Sequence, residues 1–270
     1  PLYSSAASDV YKRQLIRGRS RLPQKLQCRR EHRMNKAEKG FGLVEVMIAV
    51  TLGIVVVLGI TQIFVSAKQS YLTQDATSRL QEDARYVLSR MVQDIRMAGM
   101  FGCLPVSALV NLPSDFASPV EWDNGDKKLS LVTASVADGL EGSSSSTWTI
   151  TTDCLTEGTV HDGSQDPGAG ELAFPIRKLA YEYDADADTL SVISGSNPAQ
   201  PLVSGVSAFT VSFGLAANAG DSYVAGDYVE TVSDAALIRS VRLSLTMHDA
   251  DGRTADQTYS VVAALRNRLP

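Results

Sequence analysis

From Phe41 to Val65 the chain carries a single charged residue, Glu45, and is otherwise apolar or uncharged. A helix of about 20 such residues, rising roughly 1.5 Å at each, crosses the hydrocarbon core of a bilayer. The stretch therefore constrains the chain to place its N-terminal part in a membrane or in an equally apolar setting. The carboxylate makes that setting specific. An unpaired charge inside a membrane helix costs on the order of 2.5–3.5 kcal/mol on insertion scales, so Glu45 calls for a partner.

After Val65 the polarity changes and the helical pattern continues. Leu80, Ala84, Val87, Leu88, Met91, Ile95 and Ala98 recur at steps of three and four, which predicts one buried helical face. Arg79, Glu82, Asp83, Arg90, Gln93 and Asp94 are assigned to the remaining, polar faces, and Asp75 precedes Arg79 in the favourable i,i+4 order. No proline occurs between Phe41 and Met100, and Gly99 follows Arg96 as a stop signal. The pattern predicts a single helix from Phe41 to Ala98, about 85 Å long at roughly 1.5 Å per residue. Residues 41–65 would be its transmembrane half and 66–99 its amphipathic half. A membrane anchor followed by a separate helix is the alternative.

From Phe101 the composition shifts to Gly, Ser, Thr and Asp between short β-type runs. Strands are expected at Lys128–Thr133, Thr147–Thr151, Leu179–Tyr183, Thr189–Ile193, Ala208–Phe213, Ile238–Met247 and Thr258–Leu265. Tyr183–Thr189 reads as a hairpin connection and His248–Arg253 as the turn before the last strand. Runs 142–146 and 163–170 read as surface loops. The fold class expected is α+β, with the long helix packed on an antiparallel β-sheet and residues 100–270 forming a β-rich soluble domain.

Charge narrows the function classes. The net charge of -5 hides a split, because residues 1–40 hold 11 Lys+Arg and 3 Asp+Glu. From Phe41 onward 14 basic residues face 27 acidic ones, a net of -13. Nucleic-acid binding is driven by basic residues, so no nucleic-acid partner is expected. Enzyme chemistry finds no footing either. His161 and His248 stand far apart in polar, turn-like contexts, and neither belongs to an H-E-x-x-H pattern. Ser143–Ser146 lacks the frame of a nucleophile elbow. Asp184, Asp186 and Asp188 alternate like calcium ligands, but the glycine and the bidentate glutamate of an EF-hand loop are missing, so a solvated turn is expected. Trp122 and Trp148 read as core or rim residues. No catalytic residue, cofactor or metal is expected.

Gly40-Phe41 followed by Glu45 resembles the processing site of type IV prepilins. The resemblance implies cleavage after Gly40 by a prepilin peptidase, methylation of the new N-terminal Phe41, and pairing of Glu45 with the N-terminal amine of a neighbouring subunit. An ordinary signal anchor, with Glu45 favoured by the helix macrodipole, is the alternative. Met34–Gly40 would be the leader, short and lysine-containing, without the apolar core of a secretory signal. Residues 1–33, including Cys28, are set aside. Their opening Ser4–Gln14 resembles vector- or adapter-derived sequence, and the other reading is a disordered basic arm on the cytoplasmic side.

The segment Arg79–Leu88, and Asp94-Ile95-Arg96-Met97-Ala98-Gly99 leading into Cys103, is similar to the PilW family of minor pilins, as is Leu265–Arg268. That resemblance implies a structural protein of pilus assembly and priming, supporting twitching motility and adhesion. Its partners would be other minor and major pilins, the peptidase/methylase and the inner-membrane assembly machinery. It would begin as a single-pass inner-membrane protein with a cytoplasmic N-terminus and a periplasmic soluble domain, then move to the pilus. Gly205-Val206-Ser207-Ala208-Phe209 is similar to the J-type minor pseudopilins of type II secretion, the alternative machine. An unprocessed membrane-anchored binding or sensor domain is a further alternative. In an exported domain, the cysteine pair Cys103 and Cys154 suggests one disulfide, with two buried thiols as the other possibility.

Overall fold

The computed structural model describes residues 40–135 and 146–265. The extension 1–33, the leader up to Lys39, most of the loop 142–146 and the chain end 266–268 lie outside the described residues. Two compact units divide the chain, Pro1–Leu58 and Gly59–Pro270.

In the first unit the described residues are helical from Leu43 onward, the start of α1 (Leu43–Met97). Every side chain from Gly40 to Leu58 is exposed. An apolar run with this exposure is built for lipid or for other helices, not for a core of its own. By length and composition the helix is long and apolar enough to cross a membrane.

The described residues of the second unit hold the rest of α1 and eleven strands. They are β1 (Leu109–Val110), β2 (Val120–Asp123), β3 (Lys128–Ala134), β4 (Trp148–Thr152), β5 (Gly158–Asp162), β6 (Leu172–Asp184), β7 (Thr189–Ser194), β8 (Gln200–Ser204), β9 (Val206–Leu215), β10 (Ile238–Met247) and β11 (Gln257–Ala264). They form two sheets where a single sheet was expected. One has eight strands, in the order β1-β5-β4-β6-β3-β2 with β7 and β8 added beside β6; the other has three, in the order β11-β10-β9. All pairings are antiparallel except the two-residue β1–β5 contact, which is parallel.

The core follows from alternation. Leu129 and Leu131 of β3, Leu179 and Tyr181 of β6, and Val241, Leu243 and Leu245 of β10 point to one shared cluster with α1. All seven residues of the expected helical stripe, Leu80 to Ala98, are buried. Side chains of the opposite parity, Val132 and Ile176, face a second cluster with Phe101, Phe116 and Trp148. Gly99 ends the helix at φ +77°, a left-handed conformation that glycine adopts without strain.

Candidate assembly site

Gly40, Phe41 and Glu45 fall at the helix start. Gly42 precedes the first helical residue, and its carbonyl accepts the Val46 N–H at 3.2 Å to close the first turn. Glu45 is the acidic residue of that turn, where the macrodipole supports its charge. Phe41 is 82% exposed, and the apolar side chains that follow, from Leu43 to Val65, are exposed by half or more. Glu45 has no ion-pair partner among the described residues. The arrangement is a fully presented apolar helix with one open carboxylate near its end.

The amphipathic half contains a second carboxylate with the opposite fate. Asp94, assigned above to a polar face, is buried. Tyr181 Oη of the central strand β6 donates to Asp94 Oδ2 at 2.5 Å, and Arg177 Nη2 donates to Oδ1 at 3.1 Å. Both donors stand on the same face of β6, four residues apart, so strand periodicity aims them at one helix position. Burial, then the Asp94 charge beside it, pushes the Tyr181 hydroxyl well above tyrosine's usual range. Burial lowers the pKa of Arg90, one turn earlier, but Tyr86, Tyr181 and Asp94 outweigh that and hold it above its ordinary value. The burial of Asp94 follows from its spacing. Asp94 follows Met91 by three and precedes Ala98 by four, on the buried stripe, and its partners compensate its burial.

Two further links tie parts of the second unit together. Thr73 Oγ1 donates to the Arg253 carbonyl at 3.1 Å and Thr77 Oγ1 to Thr254 Oγ1 at 3.3 Å, so the β10–β11 turn rests on α1. Asp249 shapes that turn by accepting from Arg253 Nε at 2.9 Å and from the Arg253 backbone N–H at 2.8 Å. The Arg253 guanidinium holds the Asp249 carboxyl down at about 2. The second link follows the helix end. Cys103 and Cys154 are joined as a disulfide with Cα atoms 5.6 Å apart, across 51 residues. In the smaller cluster the Phe101 and Phe116 rings lie 4.4 Å apart and Phe116 meets Trp148 edge-on at 5.3 Å.

The residues considered for chemistry take structural places. His161 lies in β5, not in a turn, with Nε2 3.0 Å from Thr151 Oγ1. Asp184 Oδ1 accepts from the backbone N–H groups of Asp186 and Ala187, which makes it the brace of the β6–β7 hairpin. His248 Nε2 stands 3.8 Å from Asp188. Trp148 is buried, and Trp122 packs edge-on to Phe209 at 5.5 Å.

A protein-family profile described as "Prokaryotic N-terminal methylation motif" matches residues 35–61. No curated protein matches the chain. Among solved structures the chain is similar to "Type IV-like pilin TTHA1219 from Thermus thermophilus", with 12% identity over 71% of this chain and 98% of that one, at a TM-score of 0.39. The matched motif covers Gly40, Phe41 and Glu45 together with most of the apolar run, as far as Thr61.

Proposed function

We propose that the chain is a structural, non-enzymatic subunit of a type IV pilus or of a related pseudopilus, made as a membrane-inserted precursor. The observation that carries this reading is the exposed apolar helix with Glu45 in its first turn, lying within the N-terminal methylation motif at 35–61. Prepilin peptidase would cut after Gly40 and the new Phe41 amine would be methylated. That amine then sits a few residues from a carboxylate, and a neighbouring subunit's Glu45 would pair with it as the helices pack. Membrane helices associate through close packing and polar pairing, so this contact would set axial register between subunits. Before assembly the helix anchors the chain in the inner membrane, with the soluble domain on the periplasmic side.

Within that class the finer assignment is a PilW-like minor pilin, supported by the Asp94–Gly99 segment that leads into Cys103. The J-type resemblance has a separate physical source. Gly205 sits at φ +76° between β8 and β9, where an added Cβ would come 2.8 Å from the His248 carbonyl. A glycine required by the turn reports the fold and does not choose between machines. Immunoblots of sheared surface filaments test the assignment. A minor pilin appears there at low abundance, and its deletion reduces surface pili and twitching while type II secretion continues. Deletion that stops secretion and spares pili overturns it in favour of a pseudopilin. Absence from both machines, with normal expression, leaves a tethered binding domain.

A further inference from the structure

Most free strand edges in this fold are protected. β2 is four residues long and carries Glu121 and Asp123, β8 contains Pro201, and β9 is covered at Phe213 by a two-way backbone bridge to Val229. Short length, charge, proline and local cover are the usual devices that keep an edge from pairing with another chain. β11 has none of them. It is eight residues long, Gln257–Ala264, without charge or proline, and its register with β10 runs unbroken.

The free hydrogen-bonding groups can be assigned by parity. The Leu265 N–H donates to the Arg239 carbonyl, so pairs two residues further along share the bonded geometry. Ala263, Val261, Tyr259 and Gln257 therefore turn their backbone groups to β10, and Thr258, Ser260, Val262 and Ala264 turn theirs outward. The hydroxyl contacts Ser244–Ser260 at 3.0 Å and Thr246–Thr258 at 2.9 Å agree, since side chains approach most closely at non-bonded pairs. No described residue pairs with this outer edge.

Beside the edge runs a groove of about 640 Å³ between β11 and α1, floored by Leu88, Val92 and Val261. Arg85 and Arg96 stand on its helix wall, one near each end, and no carboxylate lines it. Neither arginine has an ion-pair partner among the described residues.

We propose that β11 is a docking edge, which takes an extended segment of a different protein chain as a fourth strand of the β9–β11 sheet. The main-chain groups of Thr258, Ser260, Val262 and Ala264 supply the ladder, and Arg85 and Arg96 select a segment with carboxylates at alternating positions. The soluble domain would thereby hold a neighbour by backbone pairing. The proposal stands whether or not the N-terminus is processed.

The test uses full-length protein in detergent and a labelled peptide, acetyl-Thr-Glu-Val-Glu-Val-Glu-Thr-amide, with its lysine-for-glutamate counterpart as control. The expected result is saturable binding of the acidic peptide, at least tenfold tighter than the lysine peptide, with slowed amide exchange at Thr258, Ser260 and Val262. Ser260→Pro removes an outward N–H without breaking a bond to β10, and abolishes binding. Arg85→Glu with Arg96→Glu reverses the peptide preference and leaves the edge intact. No binding, equal binding of both peptides, or binding that survives Ser260→Pro overturns the proposal. Self-association that Ser260→Pro removes, without peptide binding, also overturns it and makes a second copy the occupant.

Discussion

Helix α1 carries two carboxylates whose surroundings could hardly differ more. Asp94 is buried in the second unit and satisfied within the chain by Tyr181 and Arg177. Glu45 lies on an apolar, fully exposed stretch and has no ion-pair partner among the described residues. A charge removed from water needs compensation wherever it sits. The fold supplies that compensation at Asp94, which makes the residue a bolt between helix and sheet. At Glu45 the described residues supply none, and under the proposed function another subunit does, which would separate an element of stability from an element of assembly.

Exchanging the two residues' fates should break the comparison most sharply. Glu45→Ala is expected to abolish recovery of the subunit in sheared filaments while leaving the thermal unfolding of the soluble domain unchanged, as read by immunoblot and circular dichroism. Asp94→Ala should do the reverse at the level of stability. It strands Tyr181 and Arg177, and losing one partner of a buried pair costs about 3 kcal/mol where the arginine keeps some solvent contact. The expected fall in Tm is ~6–12 °C for a domain of this size. A wild-type Tm for Asp94→Ala would remove the bolt from the account.

The disulfide gives a comparable but separable effect. Replacing Cys103 and Cys154 together by serine reopens a loop of about 50 residues, which the chain-entropy model values at about 4 kcal/mol before strain. The loss should add to that of Asp94→Ala, because Asp94 bonds to Tyr181 and Arg177 while the disulfide joins Cys103 to Cys154, with no partner in common. Strong non-additivity in denaturant titrations would mean that the two cores are one cooperative device.

Smaller effects follow from titration. In the unfolded chain Tyr181 releases its proton near pH 10, whereas the folded protein holds it to higher pH. Above about pH 10 the unfolded state therefore binds fewer protons, and stability falls as pH rises. Tyr181→Phe should be less stable at neutral pH and should show a shallower alkaline decline. Asp249 works at the other end. Its carboxyl is held at about 2, so its contribution is present above the ordinary carboxylate range and lost as pH falls toward 2. The Asp249–Arg253 pair lies in a surface turn, so Asp249→Asn should change the acid limb only slightly.

Spacing made much of this molecule legible. The helical stripe from Leu80 to Ala98 is wholly buried, Gly99 does end the helix, and β10 begins and ends where Ile238–Met247 was expected. The missed strands have two physical reasons. β2 and β5 are short and half polar, and the first part of β6 contains Pro175, which argues against a strand. Pro175 is tolerated because it lies just beyond the last β3 pair, Ala134–Ile176, and there it only accepts, from the Ser135 N–H. Asp94 escaped notice because a carboxylate on a helix reads as solvated, although its spacing from Met91 and Ala98 marked the buried face. The division into two sheets depends on long-range pairing that no local pattern encodes. The N-terminal methylation motif was legible because it is local, confined to a short stretch that includes Gly40, Phe41, Glu45 and the run behind them.

The most direct test of the central claim is N-terminal peptide mass spectrometry on the protein recovered from membranes and sheared filaments of cells with active prepilin peptidase. The account predicts a chain that begins at N-methylated Phe41. A chain still beginning at or before Met34 would contradict it and leave Glu45 as the residue of an ordinary membrane anchor.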